Sequence, residues 1–189
     1  MHMKSSVEFY LEWLETITGA KGEFHLITEE GETPPLWVIL YRDTPESGSL
    51  TAFTYGLSSV DHPDWKLGCP ELVICVDSND INWGLAVGLL AKKFRRISPF
   101  SYGTIHRFGE KISDESEMTA FLVFAPSIID QENARVELPD RTINVVQMYP
   151  IYEQEIDMIK FAGISAFLDE LHNPYDVRRK AFTGDRYSI

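Results

Sequence analysis

The sequence of 189 residues holds only two cysteines, Cys69 and Cys75. Two are too few for a disulfide framework, and their spacing is not that of a C-x-x-C zinc or redox motif. Cys75 lies inside LVICV, where a small buried thiol is expected. Long apolar runs are missing as well, since no stretch approaches the roughly 20 residues that span a bilayer. The amino terminus lacks a charged-then-apolar export pattern, and His2 in the opening Met-His-Met is given no role, so a cytoplasmic protein is expected.

Positive charge is scarce. Seventeen Lys and Arg stand against 29 Asp and Glu, a net charge of −12, and such a molecule repels phosphate backbones. The one cationic knot, KKFRR at Lys92 to Arg96, ends an apolar-periodic segment, where positive side chains complement a helix C-terminus. No nucleic acid and no membrane is expected as partner, and a basic protein suits the charge better than an acidic polymer.

Familiar catalytic patterns are also absent. There is no G-x-G-x-x-G and no G-x-x-x-x-G-K phosphate loop. GLSSV fails as a nucleophile elbow because Val60 stands where a second glycine is needed, leaving Ser58 and Ser59 as turn residues. His62, Cys69, His106 and His172 show no metal-ligand spacing, so neither a metal nor a cofactor is expected. Glu153, Glu155 and Asp157 in EQEID suit the positive end of a helix without any chemistry. A small hydrolase or metal-dependent enzyme built from His62, Glu71 and the Glu153/Glu155/Asp157 group remains the alternative to a non-catalytic protein.

What is present is a core. Apolar residues make up 44% and aromatics 12%, enough for one domain spanning residues 1–189. SSVEFYLEWLETITG predicts a helix from Ser5 to Gly19, capped by serine and stopped by glycine. LWVILY, LTAFTY and ELVICV read as strands, with RDTPESGS as a hairpin connection. After DSND, the spacing of Trp83, Val87, Leu90, Phe94 and Ile97 predicts a helix with a core face. TAFLVFA is apolar on both alternating faces, as a central strand is. Strands at Ala134–Leu138 and Arg141–Tyr149 follow, joined through Pro139-Asp140. EQEIDMIKFAGISAFLDELH closes as one helix facing inward with Ile156, Ile159, Gly163, Phe167 and Leu171. Beyond Asn173 and Pro174 lies an extended tail with Arg178, Arg179, Lys180 and Arg186. The order predicts an α/β (α+β) fold, a mixed sheet with at least one helix-covered face.

Four blocks in this order, TYGLSSVDHPDW with PELVICV, NWGLAVGLLAKKF, MTAFLVFAP and MYPIYEQEIDMIKFAGISAFLDEL, are similar to the Suppressor of fused family in its compact bacterial form. The likeness is strongest over residues 50–171 and weak in the first helix and the tail 173–189. It implies the fold of that family's N-terminal domain and a binding module without known catalysis. Animal members hold a peptide of Gli transcription factors as an added strand between two domains. The second domain has no counterpart here, so that site does not carry over whole. Compact bacterial relatives stand beside polymorphic toxins, and the likeness implies an immunity protein that neutralises a toxin by binding it. The motif positions Tyr55, His62, Trp65, Glu71, Tyr149, Glu153 and Glu155 are the protein-binding candidates. His62, Trp65, Glu153 and Glu155 are expected on an exposed recognition face, because loops and helix starts carry interface residues. Gly56 and Pro63 set backbone geometry.

Overall fold

The computed structural model describes residues 4–182; His2 and Arg186 lie outside the described residues. Helix α1 (Ser6–Thr18) begins at a reciprocal box in which Ser5 and Glu8 each accept the other's backbone N–H, and Gly19 at φ 65° closes it. Strands β1 (Glu23–Leu26), β2 (Trp37–Arg42), β3 (Leu50–Tyr55) and β4 (Cys69–Val76) then run antiparallel, each to the last. Helix α2 (Asn82–Phe94) follows, then β5 (Ile105–Arg107), β6 (Ala120–Phe124), β7 (Arg135–Glu137) and β8 (Thr142–Ile151). Helices α3 (Glu155–Ala162) and α4 (Ile164–Glu170) come last. The strands form one sheet in the order β1-β2-β3-β4-β8-β6-β5, with β7 also on β8. Every pairing is antiparallel except β4 with β8, which is parallel from Cys69 opposite Ile143 to Val73 opposite Gln147.

Side-chain alternation sends β4 to two cores. Leu72, Ile74 and Val76 pack with Val146 and Met148 under Trp83, Val87 and Leu90 of α2. Val73 packs on the other face with Ile39 and Phe53, under Tyr10 and Leu14 of α1. Farther along that second face, Leu122, Tyr149 and Ile151 lie under Ile156, Ile159 and Phe167 of α3 and α4. The mixed sheet is therefore covered by helices on both sides. Helix α2 approaches at glycine distance: a Cβ on Gly84 would sit 2.5 Å from Leu40 Cδ2 and 2.8 Å from Ala52 Cβ.

Three expectations are corrected. Ile97 does not join the α2 core face but is 71% exposed, because the helix stops at Phe94. The closing segment is two helices, broken where Gly163 adopts φ 90°, ψ 158°, a conformation that lets glycine turn the chain while the apolar face continues. The tail is not a loose extension through residue 182. Asp77 N–H donates to the Tyr175 carbonyl at 2.9 Å, Asn173 Nδ2 donates to Asp77 Oδ2 at 2.7 Å, and Val177 is buried in the α2-side core. Strands β1 and β5 are additions to the sequence reading.

Candidate binding groove

The carboxylate of Glu71, at the start of β4, is fully buried. Its Oε2 accepts the Thr54 hydroxyl at 2.6 Å, and its Oε1 accepts Gly56 N–H at 2.9 Å, Ser58 N–H at 3.0 Å and the Ser58 hydroxyl at 2.7 Å. Burial pushes this carboxyl above the usual carboxylate range, and the donors pull against that shift. Gly56, at φ 110°, makes the turn that presents its N–H inward. Arg141 locks the same turn from outside: Nε donates to Ser58 Oγ at 3.0 Å and Nη2 to Ser59 Oγ at 3.1 Å, while the guanidinium lies 5.8 Å over the Tyr55 ring. Burial raises the Tyr55 phenol above its ordinary value, and Arg141 partly opposes it.

From this fixed turn springs the loop at residues 60–68. The His62 ring stacks on Trp65, centroids 5.1 Å apart at 25°, and its Nδ1 accepts Asp64 N–H at 3.2 Å. Trp65 Nε1 donates to the Pro99 carbonyl at 3.1 Å. The Leu67 carbonyl is held by Arg135 Nη1 at 3.0 Å and Asn144 Nδ2 at 3.5 Å. Between the loop, the segment Pro99–Tyr102 and residues 125–135 lies a groove of about 1180 Å³, floored by Pro70, Asn144 and Val146. It opens where β8 changes neighbour: β6 pairs as far as Phe124 with Gln147, and β7 begins at Arg135 with Asn144. Leu67 and Tyr102, both exposed, stand at its rim.

The structure divides the expected site residues into three places. Trp65 lines the groove with His62 stacked on it. Tyr55 and Glu71 belong to the network beneath the turn. Tyr149, Glu153 and Glu155 lie at the far end of β8 and the start of α3. Three placements correct the expectation of a surface role, since Glu71 and Glu155 are interior and the His62 side chain is only 5% exposed. Glu155 receives both terminal nitrogens of Arg179, at 2.5 and 2.8 Å, with the N–H groups of Tyr152 and Phe182 at 2.9 Å each. Four donors make burial of that carboxylate tolerable. Tyr149 is buried too, its hydroxyl donating to the Ala125 carbonyl at 2.8 Å, and burial raises its phenol to about 12. Only Glu153 among these is exposed, ion-paired with Arg107 at 2.7 Å.

The residues of the alternative enzyme reading do not assemble. Glu71 and Glu155 spend their oxygens in separate networks, Asp157 faces Lys160 at 3.6 Å, and among the described residues no three His, Cys, Asp or Glu side chains are placed to hold a metal. His106 lies between the rings of Phe94 and Phe100, centroids 5.0 and 4.8 Å away, with Nε2 3.2 Å from Ser98 Oγ. Burial lowers its pKa to about 4. Burial likewise raises the Cys75 thiol to about 11 and pushes Cys69 up. Leu67 and Tyr102 were missed by the sequence reading; the aromatic set among Ser, Pro and Gly in SPFSYG was the signal that could have found Tyr102.

This sheet, with α2 on one face and three helices on the other, superposes on Suppressor of fused structures. A proposed SUFU homolog from Neisseria gonorrhoeae FA 1090 superposes with TM-score 0.70 at 16% identity, covering 92% of this chain and 94% of that one. A chain of the Sufu–Fu complex crystal structure gives 0.66 at 13% identity, covering 94% of this chain and 92% of that one. Drosophila Suppressor of Fused gives 0.63 at 10% identity, covering 93% of this chain and 50% of that one. Identities this low establish the fold. The sequence model of the Suppressor of fused protein (SUFU) family matches residues 32–180, and the chain belongs to that family. No curated protein matches by sequence, and no helix among the described residues is long and apolar enough to cross a membrane.

Proposed function

We propose that the chain is a protein-binding module that seats a segment of its partner in the groove beside Trp65. The groove carries this reading. It is large, it presents Trp65 and Tyr102, and its loop is already tied down, through Trp65 to the Pro99 carbonyl and through the Leu67 carbonyl to Arg135. A site ordered before binding loses less entropy on capture, and concave aromatic centres concentrate binding energy. One structural neighbour is solved as a Sufu–Fu complex, a precedent for a protein partner on this fold. Within this reading Trp65 is the contact residue, His62 orients it, Tyr55 and Glu71 hold the turn behind it, and exposed Glu153 extends the acidic surface. Tyr149 and Glu155 support that end from inside.

The finer reading is an immunity protein, acting in the cytoplasm, that neutralises a basic toxin domain by covering it. Its support is the net charge of −12, which speeds capture of a basic partner through electrostatic steering. Co-purification of the untagged protein with the products of its neighbouring genes, after a moderate salt wash and read by mass spectrometry, tests both readings. A stoichiometric protein that is lost with Trp65→Ala while the variant keeps its wild-type melting curve is the expected result. Failure to retain any partner sinks the proposal, and a non-toxic partner sinks the immunity role alone.

A further inference from the structure

The groove beside Trp65 is apolar along much of its lining, with Pro70, Phe100, Tyr102, Pro126 and Val146 on its walls and floor. Its charged lining is Asp64, Lys66 and Arg135. Asp64 turns toward the His62 ring, with Oδ2 3.8 Å from Nδ1. Lys66 and Arg135 also line a second hollow of about 500 Å³, which adjoins the groove along residues 65–68 and reaches Cys69 and Thr142. Among the described residues no Asp or Glu lines this second hollow.

The two cations are committed differently. Arg135 gives Nε to Glu137 at 2.9 Å and Nη1 to the Leu67 carbonyl at 3.0 Å, which holds the guanidinium at the hollow and leaves Nη2 without a partner among the described residues. Lys66 is exposed and pairs with no carboxylate among the described residues, in a chain where 29 acidic residues face 17 basic ones. An ammonium left open amid surplus acid, beside a guanidinium with one nitrogen unspent, suits an anionic oxygen brought by a ligand. The apolar trough next to it calls for a hydrophobic side chain on that same ligand. On the reading that the groove is the binding site, we infer that its occupant is an acidic peptide segment: an aromatic or aliphatic residue fills the trough lined by Trp65 and Tyr102, and a neighbouring Asp or Glu side chain reaches Lys66 and Arg135. Because Lys66 stands at the open surface, the segment runs on past it, and the carboxylate is a side chain rather than a chain terminus. At long range the net charge of −12 draws a basic partner; at contact this corner takes one carboxylate from it.

Selection on the full-length protein from a phage library of random short peptides, fused through their C-termini so that only side-chain carboxylates are offered, tests this. The wild type is expected to enrich sequences that set Asp or Glu beside an aromatic or large aliphatic residue. A synthetic peptide made from them should bind Lys66→Glu about tenfold more weakly, through one attraction lost and one repulsion gained at an exposed site. Lys66→Arg should keep the wild-type affinity, and both variants should keep the wild-type melting curve because the side chain is exposed. Enriched peptides without an acidic residue, or equal binding by Lys66→Glu, overturn the inference while leaving the groove in place if Trp65→Ala still abolishes binding. Peptides that bind Trp65→Ala as they bind the wild type sink the groove reading, and the inference with it. A second library with free C-termini separates the two sources of carboxylate: enrichment there alone assigns the corner to a chain terminus and overturns the side-chain assignment. A selection that yields no peptide from either library overturns the inference as well, and the co-purification experiment still decides the groove.

Discussion

Replacing Glu71 separates the part played by its shape from that played by its charge. In Glu71→Ala the N–H groups of Gly56 and Ser58 and the Ser58 hydroxyl lose the oxygen they share. Leaving a buried donor unsatisfied costs about 1–3 kcal/mol, so three of them, with partial rescue by water, cost about 4–6 kcal/mol. A domain of this kind is stable by roughly 5–15 kcal/mol. Glu71→Gln keeps one oxygen for those three donors and turns its amide to Thr54 Oγ1. That oxygen already accepts Leu72 N–H at 2.8 Å and has a second lone pair. The lost hydroxyl bond is offset in part because the amide escapes the cost of holding a buried charge, the same cost that raises the Glu71 carboxyl. We expect a loss of about 1–2 kcal/mol for Gln. Urea unfolding followed by tryptophan fluorescence gives both values, and partner co-purification reports whether the groove survives. Glu71→Ala within 1 kcal/mol of wild type, or Gln as damaging as Ala, refutes the account of the turn as built on this carboxylate.

His106 predicts acid sensitivity. Its pKa falls from 6.5 to about 4 on burial, so between those values the unfolded chain binds the proton that the folded chain refuses, and stability falls as pH drops through the window. The cumulative loss approaches about 3 kcal/mol at pH 4; urea midpoints taken from pH 7 to 4 should show it, and His106→Gln should flatten that part of the profile. Arg179→Met strands the Glu155 carboxylate and should cost about 3–5 kcal/mol in the same assay. Adding Glu155→Gln, which still accepts from Tyr152 and Phe182, should recover most of that loss, and no recovery would contradict the pairing.

The elements that were legible in the sequence carry their signals locally. Ser5, Glu8 and Gly19 bracket α1 within the helix itself, and the apolar runs of β2, β3, β4, β6 and β8 are unambiguous. β1 and β5, four and three residues long, are too short for any alternation to stand out from the surrounding sequence, and they exist because β2 and β6 offer them partners. The 3.6-residue period runs unbroken across Gly163, so one helix was read where backbone geometry makes two. Among the site residues, Trp65 was legible as an aromatic in a turn-rich loop. The burial of Glu71 was not, because it depends on donors 13 to 17 residues away that only the fold brings to it. Glu155 was read as a helix-start charge for the same reason, its counterion lying 24 residues on.

The parallel pairing of β4 with β8 also sets a schedule for synthesis. β1 to β4 can fold as a meander once they leave the ribosome, but the second edge of β4 waits for Ile143 to Gln147, about seventy residues later. At roughly 5–20 residues per second, that is several seconds. Throughout that interval Leu72 to Val76, a run without charge or proline, presents the composition that seeds cross-β stacking. A nascent chain of this protein is therefore most in need of a chaperone just after β4 appears, and codons that slow translation between β4 and β8 should lower its soluble yield more than the same codons placed after β8.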